Sequence, residues 1–214
     1  GKTMLGDVQV ALERLSQTVS HEFFPLWTGK TIKVDYKADR EVYPVSLVKN
    51  TNHFHVLLAE VGGSSTGRAD RPVFTFEILT PEGAVYGHDN APRVQVPVTY
   101  MPYSLEVGEG PEVLSEGHVN TARLLYDDDY AYKLIVYDTR TGLRVWDYDL
   151  MKLLESRKPI LRPDGSALPM PEFLDRQSEW RMVILYKEGE NPSGFVALSI
   201  EVNGWIVWRN DIEV

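Results

Sequence analysis

The chain has 214 residues, 43% of them hydrophobic, and its 31 acidic and 22 basic side chains give a formal net charge of −9. This composition is typical of a globular protein with a sizeable core, and the negative charge disfavours binding to nucleic acids and anionic membranes. Cysteine is absent, which excludes disulfides, thiolate catalysis and cysteine-ligated metal sites. A cysteine-free chain is also compatible with a periplasmic or cell-surface protein.

The N-terminal segment, residues 1–28, predicts an amphipathic helix. Its apolar residues repeat at alternating spacings of three and four, and Pro25 would end the helix. Such a helix packs on a sheet, pairs with a second helix, or is the stump of a membrane helix like that of pilin-like subunits. No apolar run approaches the roughly 18 residues of a membrane span, so an anchor would lie on a segment removed from this chain. The repeating residues are Leu5, Val8, Leu12, Leu15 and Val19.

Short strands separated by turn residues follow, and they predict a mainly β fold of antiparallel sandwich-like units. The segment 108–117 is rich in glycine and glutamate and is the best candidate for a boundary between a unit at 29–107 and a second at 118–214. One continuous domain is the alternative. The predicted strands of the first unit lie near 30–37, 42–49, 53–60, 72–79, 83–87 and 93–100.

The segment from Tyr126 to Leu150 predicts the clearest hairpin of the second half. Alternating side chains lead into the turn Asp138-Thr139-Arg140-Thr141-Gly142, and a second strand returns from it. A symmetric five-residue loop would place Leu134 opposite Trp146 and Lys133 opposite Asp147. Both faces of this hairpin are apolar, which favours an interior strand pair.

Three further elements complete the chain. A strand is predicted at 118–126, and a short helix at 149–156 begins near Asp149. The proline-containing segment 157–178 predicts an arm that lies on the protein's own surface or on a partner. The C-terminus predicts a three-stranded meander over 181–209, in which Asn203-Gly204 forms a type I′ turn.

A pair of histidines, His53 and His55, is the strongest candidate for metal binding. Residues i and i+2 of a strand face the same side, so both imidazoles could bind one metal ion. With Glu60 and Gly67, this segment resembles the first signature of the cupin family. The resemblance implies a double-stranded β-helix barrel whose divalent first-row metal is held by His53, His55, Glu60 and His88 and acts on a small molecule.

No complete catalytic constellation is found in the sequence, and this favours a non-enzymatic structural or interaction subunit of a larger assembly outside the cytoplasm. Such a subunit needs protein partners or self-association and no cofactor. A cupin-like metalloenzyme is the first alternative, and a carbohydrate-binding module that stacks sugars on tyrosine and tryptophan rings is the second. The candidate partner-binding residues are Leu5, Leu12, Val19, Trp27, Ile206 and Trp208.

Overall fold

The computed structural model is dominated by β-strands, as the sequence predicted. The described part of the chain holds fifteen strands and two short helices. The structure describes residues 8–12, 17–29, 32, 34, 42–62, 72–81, 85–93, 96–108, 112–127, 130–156, 160–190 and 194–210.

The larger sheet has six strands in the spatial order β15-β14-β13-β5-β10-β9. All neighbours are antiparallel except β13 and β5, which run parallel. The strands are β5 (Thr51–Glu60), β9 (Ser104–Glu106), β10 (Val113–Ala122), β13 (Glu179–Glu188), β14 (Phe195–Val202) and β15 (Trp205–Arg209).

The second sheet has five strands in the order β12-β11-β6-β8-β2, and two small sheets pair β1 with β7 and β3 with β4. The five strands are β2 (Thr18–Val19), β6 (Phe74–Thr80), β8 (Val98–Tyr100), β11 (Lys133–Asp138) and β12 (Arg144–Asp149). The remaining strands are β1 (Gln9–Ala11), β3 (Trp27–Gly29), β4 (Leu47–Lys49) and β7 (Val85–Gly87).

The hydrophobic core lies between the two large sheets. Every second residue of a strand points into it, as expected for sheets with one buried face. Phe54, Val56 and Leu58 of β5 are fully buried, while the intervening His53 and His55 are only half-buried. The opposing sheet contributes Phe74, Phe76, Ile78, Leu134 and Val136.

Two short helices cover the core at its margins. The helix α1 (Leu150–Glu155) begins where Asp149 accepts a hydrogen bond from the backbone of Lys152, which confirms the predicted helix start. The helix α2 (Met170–Arg176) lies within the segment that was expected to be an arm without regular structure. Phe173 and Leu174 of α2 are buried, so the described part of this arm packs on the protein's own core.

The predicted N-terminal helix is wrong over the residues that the structure describes. Residues 9–11 form β1 and pair with β7, and residues 18–19 form β2 beside β8. Pairing with distant strands overrides the helical spacing, because each short strand gains backbone hydrogen bonds from a partner that the local pattern does not reveal. Leu5 lies outside the described residues.

The hairpin of β11 and β12 forms, but its register differs from the prediction. Leu134 faces Tyr148 and Val136 faces Trp146, and an irregularity follows before Tyr137 pairs with Arg144. Lys133 still contacts Asp147, at 3.3 Å, as a diagonal pair. The strand β12 is at the edge of its sheet, so the prediction of an interior strand pair holds for β11 alone.

The C-terminal meander is confirmed, with positive φ at both residues of the Asn203-Gly204 turn, as a type I′ turn requires. The candidate boundary at 108–117 falls partly within β10, which begins at Val113. Both large sheets combine strands from either side of that segment. The division of the chain into one domain or two stays a prediction.

Gly117 allows the two sheets to approach each other at the middle of β10. A Cβ at this position would lie 2.8 Å from Phe76 and 3.1 Å from Leu105. We expect Gly117→Ala to lower the free energy of unfolding by about 1–3 kcal/mol, since overpacking forces neighbouring side chains to shift. Urea denaturation measures this change.

The matched control is Leu143→Ala, which truncates an exposed side chain. This control should change the free energy of unfolding by less than about 0.5 kcal/mol. If the two variants unfold at the same urea concentration, Gly117 does not set the spacing of the sheets.

Candidate functional site: a row of histidines on the outer face of the six-stranded sheet

Three adjacent strands place ionisable side chains on the outer face of the larger sheet. His53 and His55 project from β5, and His118 of β10 lies directly opposite His55 in the strand register. Glu179 of β13 is the register partner of His53. The core face of the same three strands is mainly apolar, so the period of two separates the site from the core.

The three imidazole rings form a stack with His118 in the middle. The ring centroids of His118 and His55 are 4.4 Å apart, and those of His118 and His53 are 5.2 Å apart, with interplanar angles of 13° and 5°. Nε2 of His53 lies 3.1 Å from Nδ1 of His118. The rings are therefore close enough for the protonation state of each to influence the others.

Acidic side chains lie at both ends of this row. Nε2 of His55 contacts Oε1 of Glu116 at 2.6 Å, and Nδ1 of His53 contacts Oε2 of Glu179 at 3.0 Å. Lys49 donates to the other oxygen of Glu179 at 2.6 Å. The resulting network joins four strands, β4, β5, β10 and β13, and is half-exposed to solvent.

A cleft of about 500 Å³ opens beside His53 and His118. Tyr103 stands over it, with its ring centroid 6.2 Å from that of His118 and 6.4 Å from that of His53. Asn120 borders the cleft and accepts a hydrogen bond from the backbone N–H of Phe23 through its side-chain oxygen. The remaining lining residues are Glu22, Pro25, Lys49, Thr51, Ser104 and Glu179.

The electrostatic environment favours neutral imidazole at the centre of the row. Burial, followed by repulsion from His55 and His53, lowers the pKa of His118. Burial and the nearby carboxylates of Glu22 and Glu179 raise the pKa of Tyr103. Burial alone would raise the pKa of Glu179, but hydrogen bonds and charge from Lys49 and His53 outweigh it and lower the pKa.

The sequence-predicted metal set is brought together only in part. His53 and His55 share a face as expected. Glu60 pairs with Tyr186 at the end of β5, and its position in the alternation places it on the opposite face of the strand. His88 lies in the turn after β7 and does not join the row. The side chains that lie beside His55 are instead those of Glu116 and His118, which the sequence did not predict.

The candidate partner-binding residues are divided between the core and the surface. Leu12 and Val19 are buried in the core, whereas Trp27 and Ile206 are 56% and 52% exposed. Trp208 is partly buried, with its ring centroid 5.9 Å from that of Tyr148.

An exposed apolar surface lies on the small sheet formed by β3 and β4, which we name the β3–β4 ledge (residues 27–29 and 42–49). Leu47 pairs with Gly29, and Val45 and Leu47 lie over this glycine on the face that also carries Trp27. A groove of about 510 Å³ separates the ledge from α2. Ledge residues that include Val45 and Leu47 line one side of it, and Glu172, Asp175 and Arg176 of α2 line the other.

Comparison with models of protein families identifies the family of the chain. The family model of the fimbrillin-A associated anchor proteins Mfa1 and Mfa2 matches residues 1–211. The chain belongs to this family. Comparison with curated protein sequences gave no significant match.

Solved structures support this membership. A candidate adhesin from Bacteroides ovatus is 40% identical, with a TM-score of 0.84, and the alignment covers 100% of this chain and 68% of that one. A candidate polysaccharide-binding protein from Bacteroides thetaiotaomicron is 26% identical, with a TM-score of 0.76, covering 99% and 69%. The fimbrial anchor protein Mfa2 from Porphyromonas gingivalis shares the fold, with 17% identity, a TM-score of 0.67 and coverage of 98% and 71%.

The chain is therefore a non-enzymatic structural subunit of a larger assembly located outside the cytoplasm, as the sequence favoured. Family membership indicates association with protein partners and replaces the cupin-like enzyme as an account of function. Within the described part of the chain, no helix is long and apolar enough to cross a membrane.

Proposed function

We propose that the chain is an accessory or anchor subunit of a bacterial surface fimbria and that it binds a neighbouring fimbrial protein through the β3–β4 ledge. Support comes from the family match and from the 40% identity to the Bacteroides ovatus protein. We choose this surface because large apolar side chains are exposed on the ledge. Trp27 and Leu47 are 56% and 58% exposed on one face of a small sheet.

The physical reason for choosing this surface is the free energy of leaving these side chains in water. Contiguous exposed apolar patches with a polar margin are typical of protein interfaces, and tryptophan is enriched at residues that dominate binding. The α2 side of the groove supplies that margin, since Glu172 pairs with both Arg162 and Arg176 there. An apolar segment of a fimbrial protein would fit between the ledge and this charged rim.

The double variant Trp27→Ser, Leu47→Ser tests the proposed surface. We expect it to bind fimbriae sheared from the native bacterium at least about tenfold more weakly than the unaltered chain, because central apolar contacts dominate such interfaces. Surface plasmon resonance with immobilised fimbriae measures the affinity. Leu143→Ser, which alters an exposed leucine on the β11–β12 hairpin, is the matched control and should bind normally.

Equal binding by the double variant and the unaltered chain would contradict the choice of the ledge. No binding of the unaltered chain to fimbriae at all would contradict the assignment to a fimbria. Circular dichroism of each variant confirms that the sheets remain folded.

A second candidate function is polysaccharide binding in the cleft beside Tyr103. The cleft combines an aromatic ring with the amide of Asn120 and the carboxylate of Glu179, and flat rings with polar neighbours are typical of sugar sites. The Bacteroides thetaiotaomicron relative, 26% identical, is described as polysaccharide-binding. The nearby ring of Tyr100 is fully buried and cannot stack on a sugar.

Tyr103→Ala tests this candidate on a broad glycan array. If the cleft binds a polysaccharide, the variant should lose at least about tenfold in affinity, because the aromatic ring on which a sugar stacks is removed. Trp205→Ala, which removes a half-exposed ring elsewhere, should keep the signal. Absence of binding by the unaltered chain across the array would end this candidacy.

A further inference from the structure

We propose that His55, Glu116 and His118 form a binding site for a divalent first-row metal ion of the zinc type. One ligand atom from each of these side chains lies within 4.8 Å of the others. They come from two adjacent strands, β5 and β10, whose backbones are locked in register at this point. Two imidazole nitrogens and one carboxylate oxygen are a ligand set that zinc uses in proteins.

The hydrogen bonds around His118 prepare it as a ligand. The carboxylate of Glu179 can only accept, so Nδ1 of His53 donates to it, and in the neutral tautomer Nε2 of His53 is then the acceptor. Nδ1 of His118 then donates to Nε2 of His53, at 3.1 Å. This leaves Nε2 of His118 deprotonated and able to coordinate a metal. Carboxylate-to-histidine chains of this kind orient the ligands of metal sites.

The contact between His55 and Glu116 also prepares these two side chains as metal ligands. A short hydrogen bond of 2.6 Å joins Nε2 of His55 to a carboxylate oxygen. A metal ion can take the place of the shared proton, because metal binding to histidine and carboxylate releases protons. The half-buried position of both side chains leaves the site open to ions from solvent.

Repulsion between carboxylates gives a further reason for a cation here. Glu116 and Glu106 are direct partners in the register of β10 and β9, so their side chains share one face. Like charges directly opposite each other destabilise a sheet. A divalent cation beside Glu116 would offset this repulsion.

The chemistry of the donors selects the class of metal. Calcium and magnesium prefer sets made of oxygen ligands alone, whereas imidazole suits zinc, copper and nickel. Three protein ligands leave at least one coordination position for water or for a side chain of a neighbouring subunit. The bound ion would also clamp β5 to β10 on the face away from the core.

Calorimetric titration of tag-free, chelator-treated protein with zinc sulfate tests the site. We expect one zinc ion per chain with a dissociation constant in the micromolar range or tighter, about 10⁻⁶ M. His118→Ala and Glu116→Gln should each weaken binding by at least about tenfold. His88→Ala, a histidine outside the row, should bind as the unaltered chain does.

Two further measurements distinguish a metal site from a structural role of the same residues. Glu179→Gln touches no proposed ligand, yet it should weaken zinc binding by about 10- to 100-fold through His53 and His118. Cobalt(II) should give a visible absorption band that is lost in His118→Ala. If His118→Ala does not fold, His55→Ala replaces it.

The proposal is overturned if the unaltered chain shows no saturable binding of zinc below about 1 mM. Equal affinity of the unaltered chain and a folded variant lacking His55 or His118 would overturn it as well. Neither outcome depends on whether the chain binds fimbriae through the β3–β4 ledge.

Discussion

The alternation of side chains along β5 is the constraint on which the rest of the structure depends. This strand is hydrogen-bonded on both sides, antiparallel to β10 and parallel to β13, and therefore joins three distant parts of the chain. Its core face holds Phe54, Val56 and Leu58, which are fully buried. A shift of one residue in either register would move these side chains to the solvent face, so packing of the core also determines where His53 and His55 point.

Separation of the two faces explains how a structural subunit can carry a polar site without weakening its core. The core face supplies the free energy of folding through apolar burial, while the outer face holds ionisable groups where water still reaches them. Half-exposed hydrogen bonds there add little stability, because solvent screens them. The outer face is thus free to carry binding groups, and the β3–β4 ledge provides a second, apolar surface that adjoins it at Lys49.

The sequence predicted features that depend on local chemistry. Strand alternation at 53–60, the start of α1 at Asp149 and the turn at Asn203-Gly204 each follow from a few neighbouring residues, and each was confirmed. The short strands β1 and β2 were missed, because two or three residues form a strand only when a distant partner pairs with them. The helix α2 was missed because Pro171, which is favourable in a first helical turn, suggested a loop.

The histidine pair of the candidate site could be predicted because its shared face follows from the local pattern. The two-residue spacing of His53 and His55 indicates a shared face, but nothing in the local pattern says that β10 lies beside β5. Glu116 and His118 have the same spacing as the histidine pair, and this was the available signal. Glu116 itself belongs to the glycine-rich and glutamate-rich segment 108–117, which was a candidate domain boundary, and in the structure β10 begins within that segment at Val113.

The free energies of unfolding of Phe54→Ala and His55→Ala, measured by urea denaturation of metal-free protein, test the separation of the two faces of β5 most directly. Phe54→Ala should cost about 3–5 kcal/mol, since it empties part of a closely packed core. His55→Ala should cost less than about 1 kcal/mol, since it removes a half-exposed polar contact. Similar costs for the two neighbouring residues would contradict the account.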